Sequence, residues 1–92
     1  MFRLWVKEWK NTRMIRDITI CDDSADTRTH KIFRALEEAC HTFNISKPIW
    51  LDMNIREFRK ISKTRFSRDS FIEEVPYDYL EIHVIEEDPE SY

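Results

Sequence analysis

Along three stretches of this chain hydrophobic and polar residues alternate, and along a fourth the hydrophobic ones recur three or four apart. Phe2, Leu4 and Val6 alternate with Arg3, Trp5 and Lys7, and Ile18 and Ile20 alternate with Asp17, Thr19 and Cys21, the period of a strand with one buried face. Tyr77 to Glu86 repeats the pattern, with Leu80, Ile82 and Val84 on one side and Tyr79, Glu81, His83 and Ile85 on the other. From Thr27 to Phe43 the spacing changes. There Ile32, Phe33, Leu36, Ala39, Cys40 and Phe43 draw one stripe down a helix, leaving Arg28, Lys31, Arg34, Glu37, Glu38 and His41 for water. That helix is expected to start near Thr27, capped by Ser24 or Asp26, and to stop around Asn44 ahead of Pro48.

The first two strands read as a hairpin. Pairing Lys10 with Met14 around Asn11-Thr12-Arg13 sets Glu8 opposite Arg16, Lys7 opposite Asp17, Trp9 opposite Ile15, Val6 opposite Ile18 and Leu4 opposite Ile20. A two-residue loop would instead oppose Lys7 to Arg16, a destabilising pair of like charges, so the three-residue loop is expected. Its left-handed position falls to Asn or Arg. Pro48 to Leu51 reads as a short strand or extended segment. Asn54 is expected to cap a second short helix in which Ile55, Phe58 and Ile61 or Ser62 follow helical spacing. Lys63 to Ser70 reads as a short strand or ordered loop, and residues 87–92 as an acidic tail that frays.

These elements predict a single α+β domain over residues 1–92. It has a three- to four-stranded, mainly antiparallel sheet built from the N-terminal hairpin and the C-terminal strand, one long amphipathic helix on one face, and a second short helix. Leu4, Val6, Ile18, Ile20, Leu80, Ile82 and Val84 lie under the long helix. The opposite face carries Arg3, Trp5, Lys7, Trp9, Ile15, Asp17, Tyr79, Glu81, His83 and Ile85, and Trp5, Trp9, Ile15 and Ile85 are expected to form a contiguous apolar patch. Two readings follow. Either the 45–72 segment, with Trp50, Phe58, Phe66 and Phe71, folds over that patch, or Trp5, Trp9, Ile15, Tyr79 and Ile85 form an interface to a second copy or another protein.

Composition narrows the chemistry. With 41% hydrophobic residues and 12 aromatics among 92, the chain is globular in type. It has no glycine, which excludes a phosphate-binding P-loop and a G-x-G-x-x-G dinucleotide turn. No apolar run is long enough to cross a bilayer, and the N-terminus lacks the apolar core of a signal peptide, so a cytoplasmic protein with no membrane partner is expected. Cys21 and Cys40 lie outside any C-x-x-C pattern and read as reduced thiols. His30, His41, His83 and the two cysteines are not spaced to chelate one metal ion, and no nucleophile or carboxylate pair has an active-site context. No cofactor, metal or catalytic residue is expected, and the chain reads as a non-enzyme.

Charge is sharply divided. All 15 Lys and Arg precede residue 69, among nine acids, for a net of +6, and the other nine acids follow without a cation, for a net of −9, which together give −3. Arg56, Arg59, Lys60, Lys63, Arg65 and Arg68 cluster around Phe58 and Phe66, the pattern of a phosphate-backbone footprint with an aromatic for stacking. The competing reading sets these cations against the acidic C-terminal segment.

The segments DTRTHKIFRALEEAC and PIWLD and the strand DYLEIHVIEED resemble short bacterial chains with no assigned activity. The resemblance implies no substrate and no site residue. The sequence is therefore read as a small interaction domain that uses the face bearing Trp5 and Trp9 for self-association or a protein partner. The alternative is a nucleic-acid-binding module acting through Arg56 to Arg68.

Overall fold

A computed structural model describes residues 1–89. Its strands are β1 (Phe2–Lys10), β2 (Arg13–Asp22), β3 (Lys63–Ser67) and β4 (Tyr79–Glu86), and its helices are α1 (Arg28–Phe43) and α2 (Asp52–Ile61). The strands form one antiparallel sheet in the order β2-β1-β4-β3, so the expected α+β class holds and the 63–70 segment supplies the fourth strand. A single 3-10 turn over Arg68–Ser70 follows β3. Pro48 to Leu51 is not a strand; it is fixed instead by a hydrogen bond from the Ile49 amide to the Ser70 carbonyl, 2.7 Å.

The hairpin register is the expected one from Glu8↔Arg16 outward, with Lys7↔Asp17, Val6↔Ile18 and Leu4↔Ile20 opposed. Its loop is not. Lys10 pairs with Arg13 and Trp9 with Met14, so the turn holds only Asn11 and Thr12, both in the left-handed region at φ 52° and 63°. This is the sign pattern of a type I′ turn, whose twist matches that of the strands. A register shift between Glu8 and Trp9 leaves Ile15 as the extra residue of a bulge. The bulge reconciles a two-residue turn with a register that keeps like charges apart.

All expected core positions on the sheet lie under α1. Leu4, Val6, Ile20, Leu80, Ile82 and Val84 are buried and Ile18 packs at their edge. The α1 stripe meets them through Ile32, Ala35, Leu36, Ala39, Cys40 and Phe43. Two positions on this helix depart from expectation. Phe33 is half exposed, while Lys31 is buried, its stem along the core and its ammonium 2.6 Å from Asp88. Thr27, not Ser24 or Asp26, caps the helix by accepting from the His30 amide, and Asn44 closes it in the left-handed conformation.

The 45–72 segment does not cross to the other face. Thr64↔Ile82 and Phe66↔Leu80 place Thr64 and Phe66 on the α1 side, and Phe58, Phe71, Val75 and Tyr77 join the same core. Asn54 sits at the third position of α2 rather than its cap: its Oδ1 accepts from the Leu51 amide, and its Nδ2 donates to Thr64 Oγ1 and the Arg65 carbonyl. Of the expected tail, Glu87 binds Arg28 and Asp88 binds Lys31, while residues 90–92 lie outside the described residues.

On the core side, buried Glu8 pairs with Arg16, whose guanidinium also donates to the Phe43 carbonyl at 2.8 Å and lies 4.3 Å from the Phe43 ring centre. A cation at the last carbonyls of α1 complements the helix dipole and ties the hairpin to the helix.

A β-branched residue in the left-handed region costs about 1–2 kcal/mol. Thr12→Gly removes that cost at the turn, and we expect it to raise unfolding free energy by about 1 kcal/mol in a urea titration.

Candidate functional site

Two surfaces are built well enough to be sites, and they lie on opposite sides of the sheet. The first is the open sheet face. Across its centre run Asp17, Lys7, Glu81 and Arg65, one from each strand in the order β2-β1-β4-β3. Opposite charges alternate along this row, the favourable cross-strand arrangement. Lys7 Nζ lies 2.8 Å from Glu81 Oε1 and Arg65 Nε 2.9 Å from Glu81 Oε2, and Lys7 and Glu81 are buried although no helix covers them. Their neighbours on the face surround them. The Trp5 indole donates to Asp17 at 2.8 Å and lies 3.8 Å from the Lys7 ammonium; the Trp9 indole donates to Glu81 at 3.3 Å and stacks on Tyr79, over which Arg65 sits at 4.4 Å.

The expected contiguous apolar patch is therefore not formed. Trp5 and Trp9 flank an ion-pair row. Ile15 and Ile85 are the unpaired residues of bulges at opposite ends of the face, beside Trp9 and Arg3. Six residues of β1 separate those ends, on the order of 20 Å.

The second surface is a groove between the helices that the sequence reading did not anticipate. From α1 it takes Arg28, Thr29, Ile32 and Phe33, and from α2 Ile55, Phe58 and Arg59, with Trp50 between them. Its volume is about 310 Å³. Trp50 stands edge-on to Phe33, Phe58 and Phe66 at 5.8, 5.4 and 5.0 Å between ring centres, an arrangement that fixes the floor. Phe33 and Ile55 form exposed walls at 51% and 38% of their surface. Arg28 stands at one rim, bonded to Glu87 and Ser62 and 5.6 Å from the Phe58 ring centre. Along the outer side of α2, Met53 and Ile61 are exposed beside Arg56 and Lys60.

The six cations read as a single footprint divide between these surfaces. Arg59 lines the groove, Arg56 and Lys60 lie on the far side of α2, and Lys63 and Arg65 are on β3 at the open sheet face. Two of them are already neutralised, Arg65 by Glu81 and Arg68 by Asp78 at 3.3 Å. Arg56, Arg59, Lys60 and Lys63 make no ion pair among the described residues.

Among the described residues no three His, Cys, Asp or Glu side chains gather in a metal-binding arrangement. The Cys40 thiol is pushed up to about 11 by burial, which keeps it protonated at neutral pH, and Cys21 is exposed and free. The His83 imidazole is held below its usual value by burial and by the ammonium groups of Lys7 and Lys63. No helix is long and apolar enough to cross a membrane. In comparison with known proteins, no family model, no curated protein and no solved structure matches the chain.

Removing Glu81 strands the Lys7 ammonium in a buried site. We expect Glu81→Ala to cost about 3–5 kcal/mol in chemical denaturation, and the double replacement Lys7→Met, Glu81→Leu to recover most of that loss.

Burial opposes the Glu81 charge, but hydrogen bonds from Lys7 and Arg65 outweigh it and hold the carboxyl below its usual range. The His30 ring, the Thr27 amide and Arg34 lower Asp26 to about 2, and Arg34 and Ser24 lower Asp22. All three are depressed in the folded state, so their stabilisation is complete above the ordinary carboxylate range and is lost as pH falls through the folded values. Unfolding free energy should fall modestly as pH drops through the ordinary histidine range, where the unfolded chain protonates His83 before the folded one does, and decline further below about pH 4. Glu81→Gln should flatten that decline.

Proposed function

We propose that this chain is a non-enzymatic protein-interaction domain, and that it receives an apolar segment of an acidic protein partner in the groove between α1 and α2. The observation that carries this reading is the exposure of Phe33 and Ile55 over a fixed aromatic floor, with the guanidinium of Arg59, unpaired among the described residues, at the rim. Apolar walls reward the burial of a partner's aliphatic or aromatic side chain, and flanking cations favour carboxylates beside it. The lining offers a small polar metabolite no converging set of buried donors or acceptors.

The face bearing Trp5 and Trp9 supports a partner less well. Both indole N–H groups are already satisfied, the Lys7 ammonium lies against the Trp5 ring, and Tyr79 stacks on Trp9. Docking there has to proceed over charged groups, whereas the groove presents apolar surface directly.

The test is a display selection with short peptides carrying Phe, Ile or Leu among Asp and Glu, followed by amide shift mapping. Selected peptides should shift α1 and α2 resonances around Phe33, Trp50 and Ile55. Phe33→Glu should weaken them roughly thirtyfold, the size of a hot-spot loss, with the circular dichroism spectrum unchanged. Shifts confined to the Trp5–Trp9 face would overturn the assignment, as would single-stranded RNA that binds Phe33→Glu normally and is lost on replacing Arg56 and Lys60.

A further inference from the structure

We propose that the groove is filled by a second copy of this same chain, through its Ile72-Glu73-Glu74 loop. This inference rests on the groove reading above and adds the identity of the occupant.

Ile72 is 89% exposed, more than any other large apolar residue described. A lone exposed isoleucine is ordinary, but this one is held out by its neighbours. Phe71 and Val75 on either side of the loop are buried, as is Tyr77, whose ring stands edge-on to Phe71 at 5.6 Å between centres. The loop between these anchors presents Ile72 followed by two carboxylates. Because folding of the monomer already orders the loop ends, docking costs less conformational entropy than it would for a free tail.

The charges of knob and groove are complementary. Of the acids after residue 68, Asp78, Glu81, Glu86, Glu87 and Asp88 are engaged with Arg68, Lys7 and Arg65, Arg3, Arg28 and Lys31. Glu73 and Glu74 make no ion pair among the described residues, and neither do Arg56, Arg59 and Lys60 on α2. Among the described residues, unpaired carboxylates thus stand beside an exposed aliphatic knob, and Arg59 with Arg56 and Lys60 supplies cations at or near an apolar groove, so the two surfaces carry complementary charge.

Knob and groove are different surfaces, so the assembly is isologous if loops are exchanged about a two-fold axis and heterologous if copies add head to tail. In both arrangements Ile72 of one copy meets Phe33, Trp50 and Ile55 of the next, and Glu73 and Glu74 meet Arg59 and its neighbours. The carboxylate–guanidinium contacts lie at a solvated rim and weaken with salt.

The test uses the full chain, Ile72→Glu and Phe33→Glu, each followed by sedimentation velocity across a dilution series at low and moderate salt. The wild type should associate as concentration rises and as salt falls, and each variant should stay monomeric. An equimolar mixture of the two variants should restore a one-to-one dimer, because it pairs the intact groove of Ile72→Glu with the intact knob of Phe33→Glu. A wild type that stays monomeric while the selected peptides still bind the groove would sink this inference and leave the function reading standing. Association lost in Ile72→Glu but kept in Phe33→Glu would seat the knob outside the groove and overturn this inference, and association unchanged in Ile72→Glu would overturn it directly.

Discussion

This chain has enough apolar side chains to cover one side of a sheet, and that constraint governs the rest of the structure. Both helices, the buried anchors of the 71–77 segment and the apolar faces of all four strands meet in a single core. The other face has to be stable without a cover. It manages this with opposite charges placed strand by strand across its middle and with aromatic rings laid against the Lys7 and Arg65 cations. The inner Lys7–Glu81 pair gains its low exposure from side chains of the same face.

Crowding two helices onto one side has a second result. α1 packs over the hairpin and α2 sits beside β3, and the groove over Trp50 lies between them. Phe33 and Ile55 belong to the apolar count of their helices yet have no sheet beneath them. The groove is therefore a geometric remainder of the fold, with Arg28 and Arg59 at its rim.

Much of this architecture was legible in the residues. Period-two alternation placed three strands and their inward faces, and opposed charges in the hairpin fixed Lys7↔Asp17 and Glu8↔Arg16. The turn was misread because a two-residue loop without a bulge opposes Lys7 to Arg16; the extra residue at Ile15 keeps those charges apart, and Thr12 takes the left-handed conformation against its β-branched preference. Lys31 was assigned to water because its charge outweighed its aliphatic stem in the reading, and only the approach of Asp88 shows how it is buried. The side chosen by Phe58 and Phe66 depended on the β3–β4 register, which no local pattern specifies. The groove joins residues 28–33 to residues 50–59, a juxtaposition set by packing. One signal was present: a ten-residue helix carrying Met53, Ile55, Phe58 and Ile61 has more large apolar residues than a single buried stripe can use.

The bulge in β2 has a bearing on how copies of this protein can meet. β2 lies at the margin of the sheet, ten residues long, with one row of backbone groups facing outward. An uninterrupted margin of that length invites strand-on-strand growth of the cross-β kind. The extra residue at Ile15 bends and over-twists the ribbon, and Arg13, Arg16, Asp17 and Asp22 scatter charge along it. Main-chain templating is thereby discouraged at the longer of the sheet's two free edges, where an unbroken ribbon would run on into fibres.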